Sequence, residues 1–279
     1  MNRTKTYLLS LFSLALLTVQ AQTIKVNSVQ EIETDIPVYY PVIFDNGSKL
    51  LVTNFNYTGL SMINLETGEK SILSTAEGAG YNARLSANKK EIVYRENSLK
   101  NNRRFTAYKT VSLDGKSKRT LSSAKRTFDP KVIAEEKTYA VSEDLKIALY
   151  HNGVKTVLAP NGENYRYIWP SVSPDGKKIL YTVSGVGTFI CDLDGKNIVS
   201  LGILRAPKWV NDNWAVGMNN STVNYITKSS LVMAKADGSY HQTITTPDIV
   251  AMYPSAEGNK IAFSTDTGSI YIMDISINE

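Results

Sequence analysis

The sequence has a single cysteine, Cys191, and only two histidines among its 279 residues. One cysteine cannot form an internal disulfide, so we expect an ordinary hydrophobic core to hold the fold. Cys191 lies mid-strand in an apolar stretch and is interpreted as a small core residue rather than a nucleophile. His151 and His241 are far apart in the chain, which argues against a zinc or manganese site built from several histidines.

Catalytic motifs are also missing. The sequence has no Gly-x-Ser-x-Gly nucleophile motif and no evident Ser/His/Asp set. The acidic segment 192–197, DLDGKN, could supply half of a calcium loop. Asp-Gly pairs recur at 114–115 and 237–238, however, so we interpret this segment as turn chemistry. The sequence therefore predicts a protein that is not an enzyme and that needs no metal or other cofactor.

Long apolar runs are absent beyond the N-terminus. Arg3 and Lys5 precede an apolar run of 13 residues, Tyr7–Val19, which is too short to span a bilayer comfortably. Small or permissive residues end at Ala21, so residues 1–21 are predicted to be a cleaved secretory signal peptide, with an uncleaved anchor as the alternative. No cysteine lies next to the end of this run, so we expect no lipid-modified N-terminus. We therefore expect a periplasmic or otherwise exported protein without a transmembrane segment.

A repeated unit of about 40 residues organises the rest of the chain. Its clearest copy is residues 169–181, WPSVSPDGKKILY, read as a strand, a Pro-Asp-Gly turn and a second strand. Related copies begin at Pro41, Ala83, Pro130, Pro170, Pro207 and Pro254, at intervals of 42, 47, 40, 37 and 47 residues. Six units of this length match the blades of a propeller with four strands each.

Tight turns follow in most units. Gly-containing pairs lie between apolar runs at 67–68, 114–115, 152–153, 194–195 and 237–238, and such pairs favour hairpins with positive φ. The last unit stops at its third strand, Tyr271–Ile275, whereas Thr23–Glu33 is a spare strand. We predict an all-β, six-bladed β-propeller of four-stranded antiparallel blades, closed by this N-terminal strand. The predicted blades start near residues 39, 81, 128, 168, 205 and 252, after a closing segment 22–38.

The segment SPDGKKILY resembles the repeat of the TolB-type propellers, also called WD40-like or PD40. The resemblance covers roughly residues 39–279 and is sharp in 170–181; the second copy lacks its proline, and the third has Ala134-Glu135-Glu136 in place of the turn. It implies an exported, non-enzymatic binding scaffold. The N-terminal α/β domain of TolB and the peptidase or peptidoglycan-binding domains fused to some members have no counterpart in the sequence. A role in the Tol system is therefore not implied.

Aromatic residues precede most repeat starts. The loops that enter the inner strands of a propeller share one face around the central channel, which we call the mouth face. The predicted binding residues there are Tyr40, Tyr81, Asp129, Tyr167, Trp169, Arg205 and Tyr253. Such a surface suits a sugar or a peptide end. The alternative is that these aromatic side chains pack between blades.

The charge is concentrated in one part of the chain. Residues 84–131 contain 14 Lys or Arg and 4 Asp or Glu, a local net charge of +10. Lys100, Arg103 and Arg104 are predicted to lie in a long loop on the mouth face. A solvated surface is the simpler explanation, and an acidic partner is the more specific one.

These features lead to three functional hypotheses. The first is a monomeric scaffold of the bacterial cell envelope that binds an envelope protein, or another acidic partner, through the mouth face. The second is binding of a carbohydrate or anionic glycan, and the third is a polysaccharide lyase or hydrolase. Nucleic acid is not expected as a partner of an exported protein.

Overall fold

The computed structural model describes residues 23–223, 226–246 and 248–278. The predicted signal peptide, residues 1–21, lies outside these ranges. The described residues form six antiparallel sheets, which are the blades of a propeller around a central channel. The predicted all-β, six-bladed fold is confirmed.

The blades follow one another along the chain. Blade 1 contains β2 (Tyr39–Phe44), β3 (Lys49–Thr53), β4 (Leu60–Asn64) and β5 (Lys70–Ser74). Blade 2 contains β6 (Arg84–Leu85), β7 (Glu91–Lys100), β8 (Arg103–Ser112) and β9 (Lys118–Lys125). Blade 3 contains β10 (Thr138–Glu143), β11 (Lys146–His151) and β12 (Val154–Leu158).

The second half of the ring is regular. Blade 4 contains β13 (Tyr167–Val172), β14 (Lys178–Val183), β15 (Gly187–Asp192) and β16 (Val199–Ser200). Blade 5 contains β17 (Arg205–Asn211), β18 (Trp214–Val223), β19 (Ile226–Lys235) and β20 (His241–Thr243). Blade 6 contains β21 (Ala251–Glu257), β22 (Lys260–Thr265), β23 (Ile270–Asn278) and β1 (Thr23–Ile32). Two short 3-10 helices, η1 (Phe55–Tyr57) and η2 (Pro130–Ile133), complete the described elements.

The N-terminal strand closes the ring, as predicted. Strand β1 pairs antiparallel with β23, from Thr23 opposite Asn278 to Ile32 opposite Ile270. The side chain of Gln242 in blade 5 also bonds to both backbone groups of Ile24 in β1. The closure covers the edge of β23, which would otherwise be free to pair with another chain.

The third blade differs from the prediction, because it has three strands and not four. The segment that begins at Pro130 is the 3-10 helix η2 rather than an inner strand. The reason is local: the Asp129 carboxylate accepts a hydrogen bond from the Lys131 backbone N–H, and Pro130 occupies the first turn, where its missing N–H costs nothing. The prediction of an inner strand at 130 was therefore wrong, and β10 is the second strand of this blade.

Apolar packing joins neighbouring blades. Five buried apolar clusters lie at the boundaries between blades 1 and 2, 3 and 4, 4 and 5, 5 and 6, and 6 and 1. Cys191 is 1% exposed within one of them, as predicted for a core residue, and burial raises the pKa of its thiol to about 12. In the described chain, the boundary between blades 2 and 3 has no such cluster. It is filled by Tyr108, Phe128 and Tyr139, with the Arg84 guanidinium over the Tyr139 ring.

Candidate functional site

The inner strands begin with a recurrent backbone distortion. In five blades, one residue near the start of the inner strand has a positive φ between 47° and 55°; these residues are Tyr40, Asn82, Trp169, Ala206 and Tyr253. The strand register shifts at this point in blades 1, 4, 5 and 6. A left-handed conformation costs a non-glycine residue about 1–3 kcal/mol. Bulges re-aim side chains, so the repeated distortion sets the direction of the side chains at the channel mouth.

Four tyrosines at the mouth pack in a continuous series across blades 6, 1 and 2. The ring centroids are 4.4 Å apart for Tyr253 and Tyr40, 3.9 Å for Tyr40 and Tyr57, and 5.1 Å for Tyr57 and Tyr81. All four side chains are half-buried. The rings therefore pack on one another across neighbouring blades, as the alternative interpretation expected, and each side chain keeps part of its surface exposed.

Tyr57 belongs to this series but was missed by the sequence analysis. It lies in η1, between the second and third strands of blade 1, rather than before a repeat start. The loops between second and third strands also lie on the mouth face. An aromatic residue in such a loop is the sequence feature that could have identified Tyr57. Burial and the neighbouring tyrosines raise the pKa of the Tyr57 hydroxyl, so this group stays protonated and able to donate a hydrogen bond at neutral pH.

Two of the predicted binding residues are buried, and their polar groups form hydrogen bonds within the protein. The Tyr167 side chain is fully buried, and its hydroxyl bonds to the backbone of Asn161 and Gly162. The Asp129 carboxylate is buried and accepts hydrogen bonds from Ser122 and Lys125. Bonding to Lys125, and then to Ser122, lowers the pKa of Asp129 to about 2. Neither side chain offers a free group to a ligand.

The other predicted residues lie at the surface of the mouth. Trp169 is 41% exposed and lines the channel, and Arg205 is exposed at the start of β17. Large exposed apolar side chains are concentrated on the same face, in its loops and strand starts: Ile36, Phe55, Leu99, Leu145, Tyr165, Trp169, Val186 and Ile203. The loops and strand starts of the opposite face contribute Val154 and Ile198, and Val29, Ile72 and Val157 lie within the outer strands β1, β5 and β12. The mouth face is therefore the more apolar end of the described ring.

The basic segment is a hairpin rather than the long loop that was predicted. Lys100 ends β7 and Arg103 begins β8, so Asn101 and Asn102 alone form the turn, both with positive φ. This is the geometry of a type I′ turn, which asparagine tolerates well. Arg103 and Arg104 are exposed. Strands β7 and β8 have 10 residues each, whereas the inner strand β6 of the same blade has two. The β7–β8 hairpin therefore extends past β6, and these charges lie at its tip.

A cavity of about 1010 Å³ lies in the channel, and β10 of blade 3 forms part of its wall. Its wall includes inner-strand residues of blades 1, 2, 4, 5 and 6, together with most of β10. Five basic and two acidic residues line it: Arg84, Arg95, Arg126, Lys137 and Lys208, against Glu136 and Asp175. The lumen is therefore cationic.

Three buried polar atoms of the described chain lack a hydrogen-bond partner, and all three belong to residues that line this cavity. They are Nε of Arg84, Nε of Arg95 and Oγ of Ser171. Unpaired buried polar atoms are uncommon in folded proteins, because each one keeps its desolvation cost. The residues that carry these three atoms therefore share the wall of one cavity.

Arg95 is the least compensated of these groups. Its guanidinium carbon lies 3.8 Å from the centroid of the Tyr81 ring. Burial is the main cause that lowers its pKa; Tyr108 and Tyr81 oppose the shift, and Arg104 adds to it. The Tyr108 hydroxyl also shares a hydrogen bond with the guanidinium group, and none of the main causes of the shift is a carboxylate. Arg84, by contrast, has a distant acidic partner, since its Nε lies 3.8 Å from Glu136, whose own pKa is raised by burial.

Lys208 adds a positive charge to the lumen. It is exposed to the channel, and the surrounding wall lowers the pKa of its ammonium group by desolvation. The sequence analysis did not identify Arg84, Arg95, Ser171 or Lys208. These residues lie on strands within the repeats, and sequence alone gave no sign that they meet around a vacant strand position.

The histidines do not converge on a site. His151 contacts the Thr138 hydroxyl at 2.8 Å through Nδ1, and His241 lies 3.1 Å from the carbonyl oxygen of Leu201. The described residues contain no group of three or more His, Cys, Asp or Glu side chains positioned to hold a metal ion. In the 192–197 turn, Asn197 donates to Asp192, and Asp194 pairs with Lys196. These carboxylates are used within the hairpin.

Comparisons with known proteins identify the fold. No protein-family profile and no curated protein sequence matches this chain. Among solved structures, it is similar to TolB from Acinetobacter baumannii, with a TM-score of 0.58 and 16% identity over 80% of this chain and 58% of that chain. A putative TolB from Agrobacterium tumefaciens has a TM-score of 0.58 and 13% identity over 90% and 97% of the two chains.

An enzyme of the same fold is equally similar. Oligogalacturonate lyase from Vibrio parahaemolyticus has a TM-score of 0.57 and 14% identity, over 91% of this chain and 97% of the lyase. Within the described residues, no helix is both long and apolar enough to span a bilayer. At these identities the comparisons show architecture alone, and the architecture is that of a TolB-like six-bladed β-propeller.

Proposed function

We propose that this protein is an exported, non-enzymatic binding scaffold of the cell envelope that engages a partner protein through its mouth face. The concentration of exposed apolar side chains on that face carries the proposal. Protein interfaces combine apolar and aromatic anchors with a polar rim, and Phe55, Trp169 and Ile203 are anchors of this type. The likeness to TolB propellers supports the same class of function.

The basic hairpin is assigned a steering role. Arg103 and Arg104 are exposed at its tip, beside the apolar rim. A protruding pair of positive charges accelerates the encounter with an acidic partner, and this effect weakens as salt rises. We therefore expect an acidic partner surface around an apolar contact.

The test is affinity capture from envelope extract of the native organism. The bait is the purified protein, run beside an Arg103→Glu/Arg104→Glu variant. A Lys116→Glu/Lys118→Glu variant is the matched control, because these exposed lysines border the β8–β9 turn at the opposite face. We expect one dominant protein that is lost with the hairpin variant, retained with the control, and rebound in purified form with an association rate that falls as salt rises. Equal capture by all three baits would contradict the steering role, and no enrichment over blank resin would contradict a protein partner.

Carbohydrate binding is the second candidate. The partly exposed series Tyr253, Tyr40, Tyr57 and Tyr81, with Trp169 nearby, provides aromatic faces of the kind that sugars contact. The likeness to an oligogalacturonate lyase points to acidic glycans as the first to try. A glycan array and incubation with oligogalacturonate separate the cases: binding without cleavage supports a lectin-like role, and unsaturated products would establish a lyase.

A further inference from the structure

Blade 3 lacks an inner strand, and the space that this strand would occupy is part of the cavity. Residues 137–142, which include most of β10, lie in the cavity wall. Strand β10 pairs with β11 on one side, and the three-stranded sheet ends at β10 on the other. The segment preceding β10 runs elsewhere, because Asp129 is held by Ser122 and Lys125 of blade 2. The channel therefore contains a sheet edge.

The register identifies which backbone groups face this edge. The Asn152 N–H donates to the Lys137 carbonyl oxygen at 2.8 Å, so Lys137 directs its carbonyl group towards β11. In an antiparallel pair this direction alternates along the strand. Tyr139 and Val141 therefore bond to β11, whereas Thr138, Ala140 and Ser142 direct their N–H and C=O groups towards the channel.

The charge around this edge is positive. Arg84 stacks on Tyr139 of β10, with 5.0 Å between its guanidinium carbon and the ring centroid. Arg84 and Arg95 line the same cavity as β10, each with an unpaired Nε, and Lys208 adds a third cation. Arg84 has Glu136 at 3.8 Å, whereas Arg95 has no ion pair within the described chain. A carboxylate is the natural ligand of a half-buried guanidinium group without a counterion.

We propose that an acidic, extended segment of a partner protein enters the channel, pairs with the free edge of β10 as the missing inner strand of blade 3, and places carboxylates against Arg84 and Arg95. This inference rests on the proposed function and names the chemistry of the partner. Strand addition to an exposed sheet edge is a known mode of peptide recognition. Strand β10 has 6 residues, so a partner segment of similar length, about 20 Å when extended, matches it.

The sheet edge favours a peptide over a glycan. An edge strand presents N–H and C=O groups at regular spacing, and a second polypeptide in an extended conformation matches them along its whole length. A sugar acid can satisfy the guanidinium groups, but it does not offer this alternating series of donors and acceptors. The two ligands can therefore be distinguished at the backbone of β10.

The first experiment uses a fluorescent eight-residue peptide with glutamate at alternate positions. Its affinity is measured by anisotropy, and amide hydrogen exchange is followed in the protein. We expect the Ala140 and Ser142 amides to exchange at least about tenfold more slowly when the peptide is bound, as for any added hydrogen bond worth about 1.4 kcal/mol. Tyr139 and Val141 serve as internal controls, because their amides already bond to β11. Binding without this protection would overturn the strand pairing.

Substitutions and a modified peptide complete the test. We expect Arg95→Met to weaken binding by at least about tenfold, and Lys116→Met, which removes an exposed charge at the opposite face, to leave it unchanged. Two further peptides are N-methylated at alternate residues, one at the odd and one at the even positions. Both keep every carboxylate, but each loses half of its backbone N–H donors. The peptide that loses the donors facing β10 is expected to bind more weakly. If Arg95→Met binds like the wild type, or if neither N-methylated peptide is impaired, the inference is wrong.

Two further outcomes are distinguishable. If oligogalacturonate binds in an Arg95-dependent way and the peptide does not, the cavity is a glycan site and the peptide proposal falls. If the envelope protein captured by the wild type is lost with the Arg103→Glu/Arg104→Glu variant but fully retained by Arg95→Met, the scaffold function stands and the channel inference alone fails.

Discussion

The Arg95 guanidinium carbon lies 3.8 Å from the centroid of the Tyr81 ring, and its Nε has no hydrogen-bond partner. The ring offers partial compensation, since a cation–π contact is worth about 0.5–2 kcal/mol. The loss of hydration opposes this gain, because a buried charge is costly without a counterion. The pair thus combines a cation held against an aromatic ring with an incomplete set of hydrogen-bond partners.

This balance predicts an unusual effect on stability. We expect Arg95→Met to leave the free energy of unfolding within about 1 kcal/mol of the wild type or to raise it, because a half-buried charge with no carboxylate partner is replaced by an apolar side chain of similar length, which offsets the loss of its bond to Tyr108. Urea denaturation measures this directly. Arg119→Met is the comparison, since Arg119 donates two hydrogen bonds to Glu91. Clear destabilisation by Arg95→Met would show that Arg95 stabilises the fold, which contradicts this prediction.

The sequence predicted most of the architecture, because its information is local and repeated. The segment 170–181 defined the unit, glycine pairs marked the turns, and the incomplete last unit indicated closure by Thr23–Glu33. Each of these features depends on contacts within a hairpin or on one strand pairing. The register of β1 on β23 then follows from the sheet.

The candidate site was less accessible from sequence. The unit at Pro130 has the spacing of a repeat, yet Asp129 and Pro130 form the start of a 3-10 helix, and Ser122 and Lys125 hold Asp129 against blade 2. The vacancy that results depends on contacts between blades. Arg84 and Arg95 can be recognised as candidate site residues only when the missing inner strand of blade 3 is known. The periodicity of the sequence therefore could not identify them.

Ring closure can be tested within strand β1. Ile24 is 4% exposed and packs in the cluster between blades 5 and 6, whereas Val29 in the same strand is 45% exposed. We expect Ile24→Ala to lower the free energy of unfolding by about 2–4 kcal/mol and Val29→Ala by less than about 1 kcal/mol. Chemical denaturation of both variants provides the measurement. Equal effects would mean that β1 lies on the ring without contributing a buried anchor.

The interactions of Asp129 predict a dependence of stability on acid. Lys125 and Ser122 lower the pKa of its carboxyl group to about 2, below the value of about 3.9 expected in the unfolded chain. A lowered folded-state pKa stabilises the fold above the unfolded value, and this contribution is lost as pH falls through the folded pKa. We therefore expect Asp129 to contribute fully above about pH 4 and to lose its contribution between about pH 4 and pH 2. The melting temperature of wild type and Asp129→Asn, measured from pH 6 to pH 2, isolates this term: the difference between them is expected to shrink in that window, and a constant difference would contradict the assignment.

Gly80 controls the approach of the chain to the mouth. Its N–H donates to the Tyr57 carbonyl oxygen at 3.2 Å, and a Cβ at this position would overlap the buried side chain of Thr53. Thr53 cannot yield easily, because its hydroxyl donates to the Gly59 carbonyl oxygen at 2.7 Å. We expect Gly80→Ala to cost about 1–3 kcal/mol through overpacking.

The matched control for this prediction is Gly68→Ala. Gly68 has a φ of +74° and no atoms near its would-be Cβ, so its substitution adds backbone strain without a clash. Overpacking at Gly80 also displaces the segment that carries Tyr81, the ring beneath Arg95. Gly80→Ala is therefore expected to weaken binding of the glutamate peptide while Gly68→Ala leaves the affinity unchanged, even if both lower the melting temperature. Equal affinities for the two variants would show that the position of Tyr81 is independent of the packing between Gly80 and Thr53.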